Sequence, residues 1–178
     1  MSDQTSVLDE LPGDLMIWVL IVSELLVFGA GLLAFLGMRA MDPVGFAADQ
    51  AQLNRVAGAA NTIVLVTSGY CAARAVHSAR HMKAWLTRAI VFGVVFLVVK
   101  WLEYAEKTRL GIGIETSDFF TFYYLLTGFH ALHVVAGLVI FGLLMRWHTP
   151  RNLEAGTAFW HMVDLIWILL FPIIYLVH

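Results

Sequence analysis

Charge is scarce in this sequence. Only 13% of its 178 residues are charged, 11 Lys and Arg against 13 Asp and Glu, where soluble domains average about a quarter. The formal net charge of -2 offers no basic footprint for nucleic acid. Cysteine is nearly absent as well. Cys71 stands alone, so no internal disulfide forms and the redox compartment is not legible. Residues 1–14 hold Asp3, Asp9, Glu10 and Asp14 but no Lys or Arg. Without a basic segment, and with a long apolar run behind it, this stretch is not expected to be a secretory signal. There is no internal repeat and no low-complexity segment. A disordered tail, a nucleic-acid binder and a disulfide scaffold are thereby excluded.

What the chain has is apolar length: 60% of it is hydrophobic. Five membrane spans of about 21 residues need about 105 residues, so most of the chain is span. The apolar runs predict helices over 15–38, 53–77, 85–107, 118–146 and 154–177. In hydrocarbon all backbone polar groups must pair internally, which makes such runs helices. The short alternating segments of a transmembrane β-barrel do not occur. The expected architecture is therefore all-α, one transmembrane domain over 1–178 built as a five-helix bundle. An odd number of spans puts the termini on opposite sides. Arg74, Arg80, Lys83, Arg88, Arg146 and Arg151 fall on the side of the N-terminus, against Arg39, Arg55, Lys107 and Arg109 on the other. This bias favours a cytoplasmic N-terminus. Trp18, Trp85, Trp147 and Trp160 fall near one predicted interface, as an aromatic belt does.

Ionisable groups inside spans are costly, and each calls for a partner. Glu24 lies roughly 14 Å into the first span, where a carboxylate must be protonated or paired. Asp164 and His133 lie at similar depth in the fifth and fourth spans. His130 and His133 share a helix face, as do His161 and Asp164. The structural reading of Glu24, His130, His133, His161 and Asp164 is a hydrogen-bonded core joining the first, fourth and fifth spans. The functional reading is a proton-exchanging or lipid-headgroup cluster. Buried polar groups need partners in either case, which favours the core. No His-x-x-x-His pair, Cys-x-x-Cys-His string or thiolate cluster marks a metal or haem site. A pairing of His161 with His130 or His133 stays open as a haem-binding alternative, and a transporter as another. Lys100, Glu103 and Lys107 form a second ion cluster near a helix end, read as interfacial with snorkelling lysines. Asn61, Thr62 and Ser68 lie on a small, polar stripe suited to helix packing. Pro172 removes a backbone bond and is expected to bend the last turns. No residue here is read as catalytic and none as a metal ligand.

Several strings together resemble one family. They are Trp18 with Ser23-Glu24 in the first span, Asn61-Thr62 and Ser68 in the second, and Glu103-Tyr104 in the third. The fourth carries Leu126-Thr127-Gly128-Phe129-His130-Ala131-Leu132-His133 with Gly137, and the fifth Trp160-His161-Met162-Val163-Asp164 with Trp167. Over residues 13–177 this resembles subunit III of the haem-copper oxidases, in the short five-helix form that lacks the first two helices of the seven-helix form. The shortness and the ending Phe171-Pro172-Ile173-Ile174-Tyr175 look closest to the subunit III-like accessory protein of nitric oxide reductases. The resemblance implies a non-catalytic accessory subunit supporting assembly, stability or activity of a nitric oxide reductase in denitrification. Subunit III of an aerobic cytochrome c or quinol oxidase is the alternative. It implies no bound cofactor, phospholipid as the candidate ligand, and haem and metals in a catalytic partner subunit. It also implies a bacterial inner membrane, with the N-terminus cytoplasmic and the C-terminus periplasmic. Lipids and a catalytic membrane subunit are the expected partners. Nucleic acid is not, and a homo-oligomer is compatible with the sequence.

Overall fold

The computed structural model describes residues 15–177. Six helices make up these residues: α1 (Leu15–Met41), α2 (Pro43–Gln50), α3 (Arg55–Val76), α4 (Met82–Arg109), α5 (Asp118–Arg146) and α6 (Pro150–Phe171). All but α2 are long and apolar enough to cross a membrane. The protein is a five-span membrane helical bundle, and α2 is a short addition inside the predicted loop after the first span.

The helix ends follow from local chemistry. The side chains of Asp42, Asn54, Ser117 and Thr149 each accept a bond from a backbone N–H of the first turn of α2, α3, α5 and α6. This satisfies donors that the helix itself cannot pair. Pro43 and Pro150 sit at the first helical position, where the missing N–H costs nothing. At the other end of α4, Gly111 adopts φ +76°. Ile112 N–H donates to Lys107 O at 2.9 Å and Gly111 N–H to Thr108 O at 3.0 Å. That pair of bonds is the Schellman termination, which needs a left-handed residue after the helix.

α6 is the centre of the bundle. It packs against α1, α3 and α5, while α3 pairs closely with α4. Most of its span is buried, against a minority of each other span. Lipid tails are as apolar as leucine, so close packing and interhelical bonds, not burial from water, hold such helices together. Two such bonds join α3 to α4. Asn61 Nδ2 donates to Phe96 O at 3.2 Å and Ser68 Oγ to Ala89 O at 2.7 Å. A third joins α6 to α3, where Trp167 Nε1 donates to Thr62 Oγ1 at 3.0 Å. The stripe read as packing residues makes these bonds.

Trp160 departs from the aromatic belt. It is fully buried, with its indole against Gly93 of α4 and Gly137 of α5. Both glycines leave room for the ring, so Trp160 fills the core between three helices, whereas Trp147 is exposed.

At Pro172 the helical hydrogen-bond pattern changes. Beyond α6 the chain widens into a π-type turn over Pro172–Leu176, and Val177 N–H reaches back to Pro172 O at 2.9 Å. Gln50 of α2 donates its side-chain amide to Ile174 O at 2.8 Å. The turn keeps Tyr175 pointing inward, fully buried.

Gly137→Val is expected to push the Trp160 indole out of its slot and destabilise the bundle by about 1–3 kcal/mol. Gly142→Ala, where an added Cβ meets nothing within 4 Å, leaves stability unchanged. Thermal melting of the two variants in detergent checks the pair.

Candidate functional site

Three separate places hold the side-chain pairs of Lys100 with Glu103, Glu24 with His133, and His161 with Asp164. The largest lies where α4, α5 and the end of α6 meet. Lys100 Nζ donates to Glu103 Oε2 at 2.9 Å, to Tyr175 OH at 3.0 Å and to Tyr123 OH at 3.1 Å. Three bonds use all three ammonium protons. Tyr175 OH in turn donates to Glu103 Oε1 at 2.9 Å. The ammonium also sits 4.8 Å from the Tyr123 ring centre and 4.9 Å from that of Tyr104, within cation–π range. Tyr104 OH completes the layer by donating to Thr127 Oγ1 at 2.6 Å, since Thr127 spends its own proton on Tyr123 O.

The interfacial reading of Lys100, Glu103 and Lys107 is therefore corrected. Lys100 is 2% exposed and Glu103 5%, because both lie on the face of α4 turned toward α5 and α6. Neither side chain snorkels. Lys107, one turn further, is also buried and donates to Gln52 O at 2.6 Å, tying α4 to the chain after α2. Nearby, Ser117 Oγ donates to Asp49 Oδ2 at 2.6 Å. Sequence reasoning missed Tyr123, Tyr175 and Gln50. A Lys–Glu pair inside a span needs further donors and acceptors, and that need was the available signal for two tyrosines near the same end.

The second place joins α1 to α5. Glu24 Oε2 lies 3.1 Å from His133 Nε2, with both side chains partly exposed. His133 Nδ1 is 2.9 Å from Phe129 O. A carbonyl can only accept, so Nδ1 carries a proton. The contact between Nε2 and Oε2 then needs one more proton, on either the imidazole or the carboxyl. Glu24 and His133 are thus joined by one hydrogen bond between α1 and α5.

The third place lies between α3 and α6. Asp164 Oδ2 is 3.7 Å from His161 Nδ1, and the carboxylate rests against Gly69, where an added Cβ would collide with it. His130 joins none of these groups. Its ring is stacked on Trp167 at 5.3 Å, edge-on to Phe96 at 5.5 Å and Phe28 at 6.4 Å. Neither of its ring nitrogens has a hydrogen-bond partner among the described residues. The five residues read as one polar core are thus split: Glu24 with His133, His161 with Asp164, and His130 in an aromatic cage. Helix rotation decides this, since His130 and His133 point to different neighbours although only three residues apart. Among the described residues no three His, Cys, Asp or Glu side chains converge as a metal site would require.

Most of the hydrogen bonds made by polar side chains inside the bundle run between its helices, as in Lys100 with Tyr123 and Tyr175 and Glu24 with His133. The chain's relatives say what kind of bundle this is. The family model described as cytochrome c oxidase subunit III matches residues 13–178. A protein of Thermostichus vulcanus named cytochrome c oxidase subunit 3 is 33% identical over 172 residues, covering 89% of this chain and 84% of the relative. A probable cytochrome c oxidase subunit 3 of Mycobacterium tuberculosis is 31% identical, covering 88% and 84%. A cytochrome c oxidase subunit 3 of Synechocystis sp. is 29% identical over 170 residues, covering 88% of this chain and 72% of the relative. The chain belongs to the cytochrome c oxidase subunit III family.

Lys100→Met is expected to leave Glu103 buried without its cation and to cost about 3–5 kcal/mol. Adding Glu103→Leu removes the stranded charge and recovers most of that loss. A double-mutant cycle on detergent melting measures the coupling, and additive losses would show that the two residues do not act as a pair.

Proposed function

We propose that this chain is the accessory subunit III of an aerobic haem-copper oxidase, seated beside a haem-bearing catalytic subunit in a bacterial plasma membrane. As a member of the subunit III family it is a multi-pass membrane protein and a non-catalytic accessory subunit. The observation that carries the choice of partner is the set of relatives, which are named for cytochrome c oxidase. The nitric oxide reductase reading rested on shortness and on the ending Phe171–Tyr175. Shortness does not separate the two, because the match covers 84% of a relative named for cytochrome c oxidase.

The bundle suits this role. Its polar groups are spent on joining helices, and its outer faces are broadly apolar, with Leu33, Trp101, Leu102 and Leu132 all exposed. An apolar groove of about 640 Å³, lined by Ile17, Leu20, Leu143, Trp147 and Phe159 among others, is of a size and character to take phospholipid tails. The Lys and Arg bias supports a cytoplasmic N-terminus and a periplasmic C-terminus.

Affinity isolation of the tagged chain from its native membranes tests the partner. A co-purifying subunit carrying both haem and copper is the expected result. Haem with iron but no copper would point to a nitric oxide reductase instead. Glu24→Gln is expected to insert normally while weakening the α1–α5 contact, read as a lower melting temperature or a faster decline of the partner's turnover. If both stay at wild-type values, Glu24 has no role in either.

A further inference from the structure

Between Asp49 and Glu103 the sequence has no Asp or Glu, yet it holds Arg55, Arg74, Arg80, Lys83, Arg88 and Lys100. Lys100 is buried and spent on Glu103. Arg74, Arg80, Lys83 and Arg88 fall between the last turn of α3 and the second turn of α4, and all four are exposed. None of them makes an ion pair with a carboxylate among the described residues. Glu154 of α6 lies at the same end of the bundle but lines a cleft with Val76, Met82 and His148. The connection from α3 to α4 is thus a cluster of cations without a counter-charge.

Two of the cations are held in place. The Arg88 guanidinium carbon is 4.5 Å from the Trp85 ring centre and that of Arg74 5.5 Å, within cation–π range. Tyr70 meets the same indole edge-on at 6.3 Å, and Trp85 itself rests on the hydrophobic core. One anchored indole therefore collects a guanidinium from each of two helices. Two like charges so close repel each other, and more strongly at the edge of a bilayer than in water. An anion between them reverses the sign. Stacking on a ring leaves the N–H groups at the guanidinium edge free, and these match phosphate oxygens two at a time.

The surroundings select the kind of phosphate. Trp85 lies one turn inside a membrane-spanning helix, at the level where indoles meet lipid headgroups. One turn deeper than the two arginines the surface is apolar, with Tyr70 of α3 and Val91 of α4 both exposed. An anion seated here lies beside hydrocarbon, which suits one that carries an acyl chain.

We propose that the α3–α4 connection binds the headgroup phosphate of an anionic phospholipid. Arg74 and Arg88, positioned by Trp85, hold the phosphate, and Arg80 and Lys83 supply the surrounding positive field. This site lies on α3 and α4, apart from the groove lined by Ile17, Trp147 and Phe159 on α1, α5 and α6, and it does not depend on which catalytic subunit the chain serves.

The purified chain in neutral detergent, titrated with phosphatidylglycerol, phosphatidylcholine or inorganic phosphate, tests the site. Retained lipid is read by native mass spectrometry and stabilisation by thermal melting. Phosphatidylglycerol is expected to bind and raise the melting temperature, with phosphatidylcholine at least tenfold weaker. Replacing Arg74→Gln and Arg88→Gln together lowers phosphatidylglycerol affinity about thirtyfold. Trp85→Leu keeps every charge but removes the platform, and lowers it a few-fold. Arg55→Gln, an exposed cation at the far end of α3, leaves it unchanged. Melting without lipid separates lost binding from lost folding, and the arginine variants decide if Trp85→Leu does not fold. Equal binding of the two lipids, wild-type affinity in the double arginine variant, or an equal loss from Arg55→Gln overturns the proposal. So does competition by inorganic phosphate at the concentration of the lipid, which would make free phosphate the ligand. Loss of a co-isolated haem-bearing subunit from the double variant, with lipid binding intact, also overturns it and assigns the cations to a protein partner.

Discussion

The bundle is organised by a single constraint. Inside a bilayer no water is available to satisfy a polar group, so each one must find its partner in protein. The Lys100 ammonium shows how fully this is met. Its three protons go to Glu103, Tyr123 and Tyr175, which bring α4, α5 and the end of α6 to one point. Removing any one of these groups strands the others in a medium where they cannot be solvated. The π-type turn after Pro172, the inward Tyr175 and the short α2 that takes up Ile174 O all serve the same point. Deeper in the bundle, a hydrogen bond between Glu24 and His133 ties α1 to α5.

Packing supplies the rest. α6 is wrapped on several sides, and the space it needs comes from glycines on its neighbours. Gly93 and Gly137 clear a slot for Trp160, Gly58 for Phe171, and Gly69 for Asp164. Ring contacts run through the interior from Phe35 and Phe119 to Trp167 and His130. A bundle closed in this way has its chemistry committed to internal joints. Its remaining contacts lie on apolar outer faces, which is the form expected of a subunit that works against another membrane protein. The Asp164 carboxylate is buried between α3 and α6, with His161 Nδ1 3.7 Å from its Oδ2.

Much of this was legible in the chain. The five spans were readable from apolar length, but their ends only approximately: α6 starts at Pro150 and α1 runs to Met41, because polar caps such as Thr149 lie outside the apolar runs. The change of helix type at Pro172 is in keeping with its missing N–H. The family strings in the fourth and fifth spans were readable because order and spacing survive without any structure. The partner choice was less secure: it leaned on shortness, which the relatives named for cytochrome c oxidase share.

What could not be read was the rotation of each helix about its own axis. In a soluble protein the polar face marks the outside. Here lipid and core are both apolar, so the outside of α4 and its inside look alike in sequence. That is why Lys100 and Glu103 were placed at the interface, Trp160 in a belt, and five polar residues in one cluster. The sequence by itself determined the number of spans, their approximate limits, the family and the need of intramembrane charges for partners, because those depend on length, local bonds and the absence of water. Only the tertiary structure decided which charge meets which. A pairing depends on helix rotation, and rotation is set by small steric choices such as a glycine opposite a tryptophan.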